Sequence, residues 1–382
     1  MKFFKLTLLL AVLINTAFAQ ETKTEAKKIM DNVYNSFTKI IPYIYSDEKK
    51  LESLKNDQGS KADLIKNLTD ISLFFKNARH VEYFQRPGFR PSLETINIHI
   101  DETLNSVKNN NYPFAQKRMK ALTSLCISCH SQLSETAAEN VFGNAIKKAK
   151  RENFESDFSY GNYLFLVRRF SESEKFFDAS IKDALKTHND NELYPSLRRI
   201  LSIHTKIEFN PKSAEKFISQ YLKDDNLPLL AQEQIKIWNK SLTKWKNFKP
   251  KKVKSISHFI QTYLAPLEEN KNKMMSGEND VTLLVASGVL SKYLNDNPKS
   301  KIVPEILYWL SIAERRLSNS FFFSLSDLYL KDCIRLYPKS PYAKKCYQEY
   351  ADNIEFGYSG SSGTDIPAEE KQELEALKSF LK

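Results

Sequence analysis

The run Cys126-Ile127-Ser128-Cys129-His130 constrains this chain more than any other segment. On a helix, two thiols three positions apart project from one face, and an imidazole directly after the second stands beside them. That spacing suits covalent haem attachment. Each thiol can add to a vinyl group to form a thioether, and the imidazole is delivered beneath the iron as an axial ligand. C-x-x-C-H is accordingly a cysteine pattern that reads as c-type haem attachment.

Three plainer readings compete with it. A thioredoxin-like C-x-x-C calls for a βαβ context, and the flanks here carry helical periodicity instead. A zinc site calls for a second ligand pair at metal-binding spacing. The other two cysteines, Cys333 and Cys346, lie far along the chain and too far apart to supply one. The third reading is coincidence, with the pair idle or joined in a strained local bridge.

Haem of this kind is attached outside the cytoplasm, and the N-terminus reads as an export signal. Met1-Lys2-Phe3-Phe4-Lys5 is a short basic start, Leu6 to Ile14 is apolar, and Ala17-Phe18-Ala19 supplies the small residues of a cleavage site before Gln20. The apolar stretch is too short to span a bilayer of about 30 Å. The expectation is a periplasmic protein, cleaved after Ala19 and not transmembrane after cleavage.

Few glycines (9) beside 25 phenylalanines, 18 tyrosines and 27% charged residues favour an all-α protein. A length of 382 residues suits two domains, or one domain and an elongated array. The net charge of +11 suits an acidic redox partner or an anionic membrane surface, although a solvated basic face explains it as well. Nucleic acid is not expected as a partner of an exported chain, despite the run Lys249-Pro250-Lys251-Lys252-Val253-Lys254.

Residues 20–135 read as four helices. The first runs from about Lys23 to Tyr45, with Met30, Val33, Phe37, Ile40 or Ile41, and Ile44 on one face. The second starts at Ser60 as N-cap, with Leu64, Leu68, Ile71 and Phe75 inward. Arg86-Pro87-Gly88-Phe89-Arg90-Pro91 is a loop. Ser92 caps a third helix that carries Ile96, Ile100, Leu104 and Val107. Pro113 opens a fourth, on which Ala115, Met119, Leu122, Cys126, Cys129 and Leu133 form one stripe. The thiols are therefore expected on the core stripe of the last helix, with the haem held inside a bundle.

This organisation resembles the class II cytochromes c, the cytochrome c-prime and c-556 group. Four antiparallel helices there hold one haem, and C-x-x-C-H lies near the end of the last helix. The match covers about a third of the chain. It implies one covalent haem c on Cys126 and Cys129, with His130 as the proximal iron ligand. A departure follows the motif: Ser131-Gln132-Leu133-Ser134 replaces a basic residue found in many members, and Arg118 or Lys117 are the substitutes at hand.

The sixth iron position decides what such a haem does. In low-spin members a methionine of the first helix closes it, and Met30 is the methionine that the first helix offers. A Met/His pair raises the reduction potential and favours electron transfer. Met30 also reads as a flexible core filler. His80 and His99 are the other distal options, and with none of them the iron stays five-coordinate and open to nitric oxide or carbon monoxide.

Residues 153–355 show no catalytic constellation and a helical-repeat signal. Gly161-Asn162-Tyr163 followed by Arg169-Phe170-Ser171-Glu172-Ser173-Glu174-Lys175-Phe176-Phe177 looks like the core of a tetratricopeptide repeat, with Ser173 where that pattern places alanine. Asn210-Pro211-Lys212-Ser213, Asn297-Pro298-Lys299-Ser300 and Tyr337-Pro338-Lys339-Ser340 share a turn signature. Such periods imply stacked helical hairpins with a shared core and a concave face.

Cys333 and Cys346 stand equidistant from the turn Pro338–Pro341, so an antiparallel hairpin would bring them face to face. An exported chain permits their oxidation. A disulfide is expected, against the simpler reading of two buried thiols. Gly357 to Gly363 reads as a flexible linker before a charged helix that begins near Ala368.

The expected layout is a signal peptide (1–19), a cytochrome-like bundle (20–135), a linker (136–152), a tetratricopeptide-like array (153–355), and a flexible linker with a C-terminal helix (356–382). The function expected is single-electron transfer with the repeats docking a redox partner, and not catalysis, since no acid–base pair points to an enzyme such as a peroxidase. A gas-binding haem protein and an envelope scaffold with a structural haem are the alternatives. Oligomeric state is not legible at this level.

Overall fold

A computed structural model describes residues 24–45, 51–88, 90–132, 149–268, 277–361 and 363–382. The expected signal peptide, Leu133 and most of the 136–152 linker lie outside the described residues. What is described is all-α, apart from a β-hairpin of two two-residue strands near the C-terminus. Among the described residues, no helix is long and apolar enough to cross a membrane. The chain divides into two compact units. Among the described residues, one unit takes in those up to 122 together with 149–155, and the other takes in 123–132 and those from 156 on.

The first unit is built on α1 (24–44), α2 (Gln58–Ala78), α3 (Arg90–Lys108) and the leading part of α4 (Tyr112–His130). Apolar residues at spacings of three and four put one stripe of each helix inside. Val33, Phe37, Ile40 and Ile44 are buried on α1, and Leu64, Leu68, Ile71 and Phe75 on α2. Ile96, Ile100, Leu104 and Val107 on α3, and Ala115, Met119 and Leu122 on α4, complete the set. The α2 start differs from the sequence expectation. Ser60 is not its cap, because the Asp57 carboxylate accepts from the Ser60 backbone N–H at 3.0 Å and starts the helix at Gln58.

The second unit runs through α5 (Asp157–Leu166), α6 (Phe170–Thr187), α7 (Asp190–Ser202), α8 (Pro211–Tyr221), α9 (Leu229–Trp245), α10 (Ile256–Tyr263) and α11 (Ala265–Glu268). It continues with α12 (Asp280–Asp296), α13 (Val303–Phe321), α14 (Ser326–Leu336), α15 (Pro341–Gly357) and α16 (Ala368–Ser379). Neighbours in sequence pack as hairpins: α5 on α6, α6 on α7, α8 on α9, and α12 through α15 in succession. The α5–α6 crossing is close at Gly161, whose carbonyl accepts from Ser173 Oγ at 2.7 Å. A Cβ on Gly161 would stand 2.8 Å from the Phe177 ring, so glycine is what lets the two helices approach.

Long-range packing closes the unit. α7 runs on into a single π-turn, Ile203–Ile207, which packs against α12. There Gly288 meets the Lys206 carbonyl so closely that any side chain would collide with it. Prolines start two of the helices: Pro211 follows the Asn210 cap of α8, and Pro341 follows the Ser340 cap of α15.

Cys333 of α14 and Cys346 of α15 are joined by a disulfide, both buried. The stretch after α15 differs from a free linker. Ser359 pairs with Thr364 and Gly360 with Gly363 in a small antiparallel hairpin. α16 then packs back through buried Leu377 and through Glu373, which meets Lys331 at 2.7 Å and Arg335 at 3.3 Å.

Candidate functional site: the last turns of α4

The motif residues occupy the end of α4, beyond the point where the helix changes unit. Their surroundings explain why this segment groups with the second unit. Buried Ser128 donates from Oγ to the Phe323 carbonyl at 2.9 Å. Asn295 donates from Nδ2 to the Gln132 carbonyl at 3.0 Å.

The expectation that the thiols continue the bundle's core stripe is corrected by the burial pattern. Ala115, Met119 and Leu122 are fully buried, whereas Cys126, Cys129 and His130 are half-buried. Leu125, Ile127 and Ser128 take the inward positions of these last turns instead. The physical reason is the change of packing partner: past Leu122 the helix is held by the second unit, which grips the Ser128 side. Cys126, Cys129 and His130, at i, i+3 and i+4, share the less buried face.

His130 is fixed by a carbonyl that only the fold supplies. Helix α5 ends at Leu166, and the last carbonyls of a helix have no partner within it. The turn that follows uses three of them: Val167 N–H donates to Tyr163, Arg168 N–H to Phe165, and Arg169 N–H to Leu164. The Leu166 carbonyl is taken by His130 Nδ1 at 2.5 Å. A carbonyl only accepts, so Nδ1 carries the proton and Nε2 carries the ring's lone pair. Arg168 makes the turn with φ of 65°, a left-handed conformation unusual for arginine.

The electrostatics keep His130 and Cys126 neutral. Burial pushes the His130 imidazole down to about 4, the Leu166 bond working against the shift and the charge of Arg168 adding to it. Burial, with the adjacent Cys129, pushes the Cys126 thiol up to about 12. Nearby, Tyr329 of α14 is wholly buried. Burial, followed by the influence of Glu314, Cys129 and Asp332, raises its hydroxyl well above the ordinary phenol range.

This donor set fits a haem attached through two thioethers. The thiols are half-buried and share a helix face, and the neutral imidazole beside them has its outer nitrogen anchored, as axial histidines do. Among the described residues, no cluster of three or more His, Cys, Asp or Glu side chains is arranged to hold a bare metal ion.

The remaining predicted residues fall elsewhere. Met30 is half-buried on α1, in the first unit. His99 is buried on α3, with a pKa lowered by burial and then by Arg118, and His80 is exposed in the turn after α2. Arg118 is engaged with Glu102, and Lys117 is exposed. The Leu166 carbonyl, Ser128, Arg168 and Tyr329 had no signal in the sequence, since each acts through a partner distant along the chain. No family model matches this chain, and no curated protein or solved structure does either.

Proposed function

We propose that this protein is an exported monohaem c-type cytochrome that carries single electrons, its helical second unit serving as a tetratricopeptide-like platform for a redox partner. The observation that carries the reading is the bond from His130 Nδ1 to the Leu166 carbonyl. It presents Nε2 in the neutral form that an axial ligand requires, directly after two thiols at thioether spacing. Bound there, haem supplies an iron centre that takes up and gives back one electron.

The chain's own residues have assigned tasks. Cys126 and Cys129 anchor the group, and His130 is the proximal ligand. Ser128, through Phe323, holds the helix end in place. The close crossing of Gly161 with Ser173, twelve positions on, supports the tetratricopeptide-like reading of the second unit. The net charge of +11 supports an acidic partner.

The test is an absorption spectrum of the purified protein, oxidised and reduced, with and without carbon monoxide, together with a haem stain after denaturation. A stain that survives denaturation, with a low-spin spectrum insensitive to carbon monoxide, is the expected result. A high-spin spectrum that shifts with carbon monoxide would replace electron transfer by gas binding. A folded protein without covalent haem sinks the proposal.

A further inference from the structure

The basic run Lys249 to Lys254, which the haem chemistry does not use, lies along a cleft of about 530 Å³ in the second unit. The floor of the cleft is aromatic. Trp245 stands 4.6 Å from Tyr263 and 5.0 Å from Phe248, ring centre to ring centre, and Phe259 stands 5.0 Å from Tyr263. Trp245 and Phe259 are buried, and Trp245 is held by a bond from Nε1 to Thr282 Oγ1 at 3.1 Å. Phe248 is half-buried and Tyr263 is 39% exposed, so both keep ring surface open to the cleft.

The rim is cationic. Lys244, Lys249, Lys252 and Lys254 are all exposed along it, beside His258, and no carboxylate is among the lining residues. Four ammonium groups around one opening repel each other, and the aromatic floor offers them no countercharge. The size lies within the range of small-molecule sites, which combine an apolar body with a few convergent polar groups.

We propose that this cleft binds a small organic anion with a planar apolar body: an aryl carboxylate, sulfonate or phosphate. The ring lies against Phe248 and Tyr263, and the anionic group meets Lys252 and Lys254. The site is independent of the haem reading and stands or falls by itself.

The test is calorimetric titration of the purified full-length protein with 2-naphthalenesulfonate. Saturable one-site binding is expected, with no measurable binding of the neutral 2-naphthylmethanol and no displacement by sodium sulfate at equal concentration. The double variant Lys252→Glu, Lys254→Glu is expected to weaken binding about tenfold, which corresponds to about 1.4 kcal/mol. Tyr263→Ala is expected to weaken it about threefold. These side chains are exposed, so circular dichroism should match the parent; where it does not, Lys252→Gln with Lys254→Gln is read instead. Equal binding of the neutral analogue, full competition by sulfate, or unchanged affinity in the lysine variants overturns the proposal. So does binding to phosphatidylglycerol vesicles without binding to the soluble probe, which would make the face a membrane contact.

Discussion

Lys206 and Glu314 meet at 2.9 Å in the interior of the second unit, with side chains 0% and 2% exposed. The same carboxylate oxygen accepts from Ser287 Oγ at 2.8 Å, and the ammonium lies 4.5 Å from the centre of the Phe322 ring. Glu314 also acts on the buried Tyr329 hydroxyl, as Cys129 does from the end of α4. Removing one partner leaves the other charged, buried and uncompensated. Lys206→Met is expected to cost roughly 3–5 kcal/mol in urea unfolding, and adding Glu314→Leu to recover most of it. Equal stability of Lys206→Met and the parent would show that the pair is not closed in solution.

His204, on the π-turn, makes stability depend on pH. Burial works to lower its pKa, but hydrogen bonds to Glu174 and Glu208, together with their charges, outweigh burial and hold it at about 9. A raised folded-state pKa adds stability that is complete below the unfolded value near 6.5 and is lost as pH rises towards 9. The loss expected across that window is roughly 3 kcal/mol, read from unfolding midpoints at pH 6 and pH 9. His204→Gln is expected to flatten the profile; an unchanged slope in that variant would assign the dependence to another group.

The Cys333–Cys346 disulfide closes a loop with a sequence separation of 13. In the chain-entropy model a loop of this size contributes roughly 3 kcal/mol by restricting the unfolded chain. The double variant Cys333→Ala, Cys346→Ala is expected to lose about that much in denaturant unfolding while keeping its helical circular dichroism. Unfolding curves that are identical with and without reductant would mean that the bridge does not form.

Two glycines mark close approaches of different severity. A Cβ on Gly161 meets the Phe177 ring, which can yield by rotating, whereas one on Gly288 meets the Lys206 backbone carbonyl. Gly161→Ala is expected to cost about 1–3 kcal/mol, and Gly288→Ala more. Thermal melts that reverse this order would show that the π-turn yields more easily than the α5–α6 crossing.

The sequence offers Met30 for the sixth position of the proposed haem, and a substitution tests that reading. Met30→Ala is expected to turn a low-spin spectrum into one that responds to carbon monoxide, with haem still covalently held by Cys126 and Cys129. A spectrum identical to the parent's would remove Met30 from the iron.

Much of the architecture was legible locally. The spacing of Val33, Phe37, Ile40 and Ile44, and of the matching residues on α2 and α3, follows from helix geometry and the burial of apolar area, so an all-α chain could be read directly. The placement of Cys126, Cys129 and His130 on one helix face could be read in the same way, and the haem proposed there rests on residue type and spacing over one helical turn. The tertiary structure decided the rest. The stripe of α4 leaves the core after Leu122 because Phe323 and Asn295 hold the following turns. The His130 tautomer is set by the Leu166 carbonyl, which became available when Arg168 turned the chain left-handed. The charge of Lys206 is tolerated inside because Glu314, 108 positions away, meets it there. Periodicity reports which face of a helix is apolar, but partners that distant are chosen only when the helices pack.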